Sequence, residues 1–131
     1  MGTRSLTYVV EDGRRIVCMY RQYDGYPSGH GKELYEFLKP ITMLNGLGSD
    51  NQNVANGAGC LAAQIVAHFK NGPGGIYLKS TTPGDCWQEY EYYVNVNNDA
   101  ISIGVKNPRA KSFLFEGDIE QFGAWCVSTE D

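Results

Sequence analysis

Polar and apolar residues alternate over two short segments at the start of the chain, and a period of two predicts β-strands. The first segment runs from Ser5 to Glu11 and the second from Arg14 to Tyr23. Between them, Asp12-Gly13 is typical of a two-residue hairpin turn, because both positions accept positive φ. Pairing in register across this turn predicts one apolar face, directed at the core, that carries Leu6, Tyr8, Val10, Val17 and Met19.

Apolar residues recur three and four positions apart in three later segments, which predicts helices. The first helix is expected from about His30 to Lys39, and the second, with the clearest apolar stripe, from Val54 to Lys70. The small residues Gly57-Ala58-Gly59 predict that the second helix packs closely against another element. A short third helix is expected to begin after Asp118, because Gln121 follows three positions later in the pattern of a capping box.

The remaining segments complete the predicted fold. Thr42 to Asn53 is polar and glycine-rich and is predicted as a loop, and further strands are expected at Ile76 to Ser80, Cys86 to Val96, Ala100 to Lys106 and Ser112 to Phe115. Strands and helices do not alternate, so a doubly wound parallel sheet is not expected. We therefore predict one α+β domain over residues 1–131. Its single antiparallel sheet has about five to six strands, with the helices mainly on one face.

Charge and cysteine spacing narrow the classes of function. The net charge of −4 argues against nucleic acid as a partner, because clustered Lys and Arg drive that binding. No apolar run has the length that crosses a bilayer, and no signal peptide is recognisable, so a cytoplasmic protein without membrane association is expected. The cysteines at 18, 60, 86 and 126 form no C-x-x-C pair. They are predicted to be free thiols, with no metal site and no cofactor.

Residues 21–31 concentrate the candidate chemistry of the chain, at the point where a strand ends and a helix begins. One hypothesis is a small hydrolase-like enzyme centred on Asp24, Ser28 and His30, with Arg21 binding an anionic group. The helix N-terminus favours anions and a neutral imidazole, and a neutral histidine beside a carboxylate can act as a general base.

The same segment also supports two interpretations without catalysis. In the first, Arg21, Tyr23, Asp24, Tyr26 and His30 bind a ligand, such as a small anion, or a partner. In the second the loop is purely structural, with its glycines supplying turn dihedrals and its tyrosines packing on the hairpin. The residues alone leave all of these possibilities open.

The run YRQYDGYPSGHG, from Tyr20 to Gly31, is similar to a segment of a family of short bacterial and phage-type proteins. The order of elements downstream of this run is similar too. The resemblance implies membership of that family, and it implies no activity and no functional residues, because no reaction is assigned to the family.

The absence of a complete catalytic or cofactor motif favours a small non-enzymatic domain that binds a protein partner or a second copy of itself. One candidate surface for such a partner is the strand face predicted to carry Trp87, Glu89 and Tyr93, which combines aromatic and acidic side chains. The hydrolase-like enzyme or anion-binding site at residues 21–31 is the alternative.

Overall fold

The computed structural model describes residues 2–44 and 53–129. Within these ranges a π-helical turn, Pro27–Gly31, precedes the first of three helices. In chain order the elements are β1 (Ser5–Glu11), β2 (Arg14–Arg21), α1 (Lys32–Leu38), β3 (Thr42–Leu44), β4 (Val54–Asn56), α2 (Gly57–Phe69), β5 (Ile76–Lys79), β6 (Tyr90–Asn97), β7 (Ala100–Lys106), β8 (Phe115–Gly117) and α3 (Ile119–Ser128).

Six of the strands form one main sheet in the order β5-β2-β1-β6-β7-β8, which confirms the predicted α+β class and its single principal sheet. The neighbours are antiparallel except β1 and β6, which run parallel with Ser5 opposite Tyr90 and Glu11 opposite Val96. The prediction of a purely antiparallel sheet is therefore corrected at this pair. Two helices lie between the two strands in the sequence, and a connection of that length permits parallel pairing.

The three helices share one buried cluster with one face of the main sheet, as predicted. This core includes side chains from all three helices and from the four central strands of the sheet: Leu34 and Leu38 of α1, Leu61 and Ile65 of α2, Phe122 and Cys126 of α3, and Val9, Met19, Tyr92, Val94, Ile103 and Val105 of the sheet. Across residues 2–44 and 53–129, no helix combines the length and the apolar character needed to cross a membrane.

A β-bulge in the hairpin changes which residues face this core. The turn at Asp12-Gly13 pairs Glu11 with Arg14 and Val10 with Arg15, as predicted, but Val9 then pairs with Val17 and Ile16 is left over. A shift of one residue reverses the face of every later side chain relative to its partner strand. Val9 therefore faces the helices together with Val17 and Met19, whereas its neighbours Tyr8 and Val10 face the other side of the sheet. The predicted core residues Leu6, Tyr8 and Val10 form a separate cluster with Cys18.

Several predicted boundaries shift because short strands replace helix ends or loops. Val54–Asn56 pairs in parallel with Thr42–Leu44, so α2 begins at Gly57 and the predicted loop contains the strand β3. The rest of that predicted loop, residues 45–52, lies outside the described residues. The capping box at Asp118 and Gln121 is confirmed, with a 2.8 Å bond from the backbone N–H of Gln121 to the Asp118 carboxylate.

Close helix packing occurs in α3, and the glycines at the start of α2 do not provide it. A Cβ placed on Gly59 would meet no atom within 4 Å, whereas a Cβ on Gly123 of α3 would overlap the ring of Tyr35 on α1. The expectation drawn from Gly57-Ala58-Gly59 is therefore wrong for its glycines. Only Ala58 of that run is buried.

We predict opposite effects of the same substitution at these two helical glycines. Gly59→Ala is expected to raise the free energy of unfolding by up to about 1 kcal/mol, because alanine favours the helix. Gly123→Ala is expected to lower it by about 1–3 kcal/mol, because the added methyl displaces the Tyr35 ring. Urea unfolding of both variants measures the difference, and equal stability of the two would contradict this packing.

Candidate functional site

The loop between β2 and α1 is fixed to the sheet through its backbone. Gly25 donates its N–H to the Thr3 carbonyl at 2.8 Å and accepts a hydrogen bond from the Tyr92 hydroxyl at 2.6 Å. A Cβ at Gly25 would lie 2.7 Å from the Cβ of Ser5, so this glycine is required for space. The left-handed residue of the loop is Asp24, with φ of 62°, and this differs from the interpretation in which the loop glycines supply the turn dihedrals.

His30 is fully buried, and both of its ring nitrogens have partners. Nε2 lies 2.7 Å from the Thr7 hydroxyl, and Nδ1 lies 3.1 Å from Nη1 of Arg21. Because a guanidinium can only donate, Nδ1 must accept, and the ring proton sits on Nε2 and is donated to Thr7. Burial, together with the charge of Arg21, lowers the pKa of His30 to about 3. The imidazole is therefore neutral.

Aromatic rings surround the His30 imidazole on two sides. Its centroid lies 4.8 Å from that of Phe69 on α2 and 4.9 Å from that of Tyr92 on β6. The row continues outward, because His68 meets Phe69 edge-on at 5.0 Å and stacks on Phe37 of α1 at 4.6 Å. A continuous aromatic row thus connects the sheet to the surface between α1 and α2.

Arg21, at the end of β2, has its guanidinium held on three sides. Nη1 and Nη2 donate to the two carboxylate oxygens of Glu33 at 2.8 and 3.4 Å, and Nε donates to the Tyr23 carbonyl at 2.7 Å. The side chain of Arg21 is only 15% exposed, whereas that of Glu33 is 48% exposed. Arg21 is thus an internal counterion that joins the loop to α1, with its charge largely compensated.

An open cleft of about 430 Å³ lies over this network, bounded by the loop, the first turn of α1, the end of α2 and the start of β5. Three of the predicted site residues, Arg21, Tyr23 and Asp24, line it. The other lining residues, which the sequence analysis did not identify, are Glu33, His68, Phe69, Asn71, Gly74, Gly75 and Ile76. Their positions along the chain offered no local signal, because distant elements bring them together.

The other predicted site residues lie outside the lining of this cleft. The His30 imidazole is buried, and its contact with Asp24 is a backbone bond of 2.8 Å from the His30 N–H to the Asp24 carbonyl. The Asp24 carboxylate accepts from the Tyr26 hydroxyl at 3.3 Å, and Ser28 is exposed. The three residues proposed for catalysis thus belong to one loop, but their side chains differ in environment. The His30 ring is buried, the Asp24 carboxylate accepts from Tyr26, and Ser28 is exposed.

The strand face predicted to carry Trp87, Glu89 and Tyr93 is interrupted in the structure. β6 begins at Tyr90, and Trp87 lies in the preceding loop with φ of 61° and a 70% exposed side chain. Tyr93 stacks on Tyr8 with ring centroids 5.1 Å apart, so much of its ring is covered. These residues therefore do not form one continuous binding surface on a strand.

No protein-family model, no curated protein and no solved structure matches this chain. The resemblance of residues 20–31 to a family of short bacterial and phage-type proteins therefore stays a prediction. Over the described part of the chain, no three His, Cys, Asp or Glu side chains converge as the ligands of a metal ion would.

We predict that acid weakens the fold through His30. In the unfolded chain a histidine takes up a proton below about pH 6.5, whereas folded His30 has its pKa lowered to about 3. The unfolded state therefore binds the extra proton, and the free energy of unfolding falls as the pH drops through this window, by up to about 1.4 kcal/mol per pH unit.

The matched variant is His30→Gln, whose amide can donate to Thr7 and accept from Arg21 without titrating. Between pH 7 and about pH 4.5, the stability of the wild type relative to this variant is expected to fall by about 2–3 kcal/mol in urea unfolding. An NMR titration of the His30 ring in the wild type gives an independent measurement, and a midpoint near pH 6.5 would contradict the assignment.

Proposed function

We propose that the chain is a small non-enzymatic binding domain, and that the cleft beside Arg21 binds a positively charged group of a protein partner. The observation that carries this proposal is the composition of the cleft. Two carboxylates, Asp24 and Glu33, lie with the aromatic rings of Tyr23 and Phe69 in one open concavity. The single guanidinium in the lining, that of Arg21, is already paired with Glu33.

The geometry of His30 favours binding over the hydrolase alternative. A general base needs a free lone pair within reach of the substrate proton. The Nδ1 lone pair of His30 is engaged by Arg21, and the Nε2 proton is directed at Thr7. Taking up a substrate proton would require the Arg21 contact to break in a fully buried site.

The pairing of Arg21 also disfavours the small anionic ligand considered from the sequence. An anion would have to displace Glu33, whose carboxylate already accepts hydrogen bonds from both terminal nitrogens of the Arg21 guanidinium. It would also approach the carboxylate of Asp24, and the resulting repulsion opposes binding. A cation meets the opposite situation at Asp24, whose carboxylate attracts it, because Glu33 and Arg21 already compensate each other.

The walls of the cleft suit an alkyl-ammonium or guanidinium group in particular. The Tyr23 side chain is 55% exposed, so its ring is available to a cation, and such contacts contribute about 0.5–1 kcal/mol at exposed sites. Hydrogen bonds from a cation to a carboxylate are roughly twice as strong as neutral ones. Asp24 provides such an acceptor beside Tyr23.

A titration with a small cation tests the proposal. N-acetyl-arginine amide at low salt is expected to shift the backbone NMR signals of Tyr23, Asp24 and Phe69, while the uncharged analogue N-acetyl-citrulline amide leaves them in place. Asp24→Asn should weaken the binding by about three- to tenfold, through loss of a charge-assisted hydrogen bond. Asparagine accepts the left-handed backbone of this position, so the loop should be retained.

The control variant is Asp85→Asn, which removes the same charge at a different cavity and keeps an oxygen for the Trp87 N–H. It is expected to bind the cation like the wild type. Binding of inorganic phosphate at the same residues, with no response to the arginine derivative, would instead support the anion alternative.

We also propose that the domain acts in the cytoplasm. What supports this is the state of its cysteines, since Cys18, Cys60, Cys86 and Cys126 are all free thiols. Proteins of reducing compartments keep their thiols in this form, whereas small secreted domains tend to pair them. Association with a second copy is a separate proposal, which sedimentation of the purified chain tests.

A further inference from the structure

A second cavity, of about 390 Å³, adjoins the cleft beside Arg21. The two cavities share Glu33 and His68 in their linings. Glu36, one helical turn after Glu33, lines only the second cavity, together with apolar side chains that include Phe37 and Ile41. The cavities are therefore adjacent, and we refer to the two together as one groove with two compartments, along α1 and the end of α2.

The groove carries an excess of negative charge that is distributed over both compartments. Its lining contains three carboxylates, those of Asp24, Glu33 and Glu36, and one guanidinium, that of Arg21, which gives a net charge of −2 before His68 is considered. Arg21 is paired with Glu33. Among the described residues, Asp24 and Glu36 have no ion-pair partner, and each belongs to a different compartment.

His68 forms the boundary between the two compartments, and its ring is held in place by its neighbours. The ring stacks on Phe37, with an interplanar angle of 29°, and meets the edge of Phe69 at 85°. A ligand that occupies both compartments passes the two residues that they share, Glu33 and His68. An extended main chain can do so while its side chains enter the cavities on either side.

We infer that the partner presents an extended peptide segment with two basic side chains, one placed at Asp24 and the other at Glu36. This inference rests on the proposed function of the first cleft. The second compartment combines a carboxylate with apolar walls at Phe37 and Ile41. Lysine and arginine match such a site, because their aliphatic stems pack on apolar surface while the charged end meets the carboxylate. The acidic lining excludes a nucleic-acid backbone as the occupant.

The test uses a series of acetylated, amidated peptides in which two arginines are separated by an increasing number of glycines. For the spacing that matches the groove, the peptide is expected to bind about tenfold more tightly than either version in which one arginine is replaced by citrulline. Linking two weak contacts makes the second one intramolecular, which produces this gain. NMR titration of the whole chain measures affinity and locates the bound peptide on α1 and α2.

Two variants separate the compartments. Glu36→Gln should reduce the affinity of the two-arginine peptide to that of a single-arginine peptide, and should leave the binding of N-acetyl-arginine amide in the first cleft unchanged. Asp24→Asn should weaken both ligands. Asp85→Asn, outside the groove, should weaken neither.

The outcomes distinguish this inference from the function on which it rests. If Asp24→Asn weakens the single cation but Glu36→Gln leaves the two-arginine peptide unaffected, the groove model is overturned and the first cleft stands alone. The same conclusion follows if no spacing gives a gain over the citrulline peptides. If Asp24→Asn changes neither ligand, the proposed function itself fails.

Discussion

The site and its surroundings depend on the two hydrogen bonds of the neutral His30 imidazole, which is buried between Thr7 and Arg21. The imidazole connects the middle of β1, the end of β2 and the entry to α1 through these two hydrogen bonds. Because Arg21 donates to one nitrogen, the proton must occupy the other, and the network is satisfied in one protonation state only. A buried polar group without its partner costs about 1–3 kcal/mol, so this arrangement specifies how the loop meets the sheet.

The β-bulge at Ile16 makes this arrangement possible. Without the extra residue, Thr7 would lie opposite Cys18, and its hydroxyl would lie on the opposite face of the sheet from Met19 and Arg21. With it, Thr7 lies opposite Met19, on the same face as Arg21, and both can reach the histidine. One unpaired residue in a hairpin therefore decides which side chains surround the His30 imidazole and on which side of the sheet the loop packs.

Arg21 and His30 are residue types familiar from catalysis, and here both are held by contacts within the fold. The acidic residues of the groove are exposed at the surface. The Arg21 charge is compensated by Glu33, and the His30 ring contributes to an aromatic row that leads outward to His68 and Phe37. Within the described ranges, the carboxylates of Asp24 and Glu36 in the groove have no ion-pair partner. The basic partner that we propose rests on this balance of charges, since aromatic rings beside exposed carboxylates attract and orient a cation.

The sequence by itself determined the features that depend on neighbouring residues: the turn at Asp12-Gly13, the capping box at Asp118, the main apolar stripes and the α+β class. It also identified Arg21, Tyr23 and Asp24, because they lie together in one unusual loop. Only the tertiary structure decided the parallel pairing of β1 with β6, the face of the hairpin and the presence of Glu33, Phe69 and His68 at the cleft. The physical reason is that local patterns report turns and periodicity, whereas register and charge compensation arise between segments far apart in the chain.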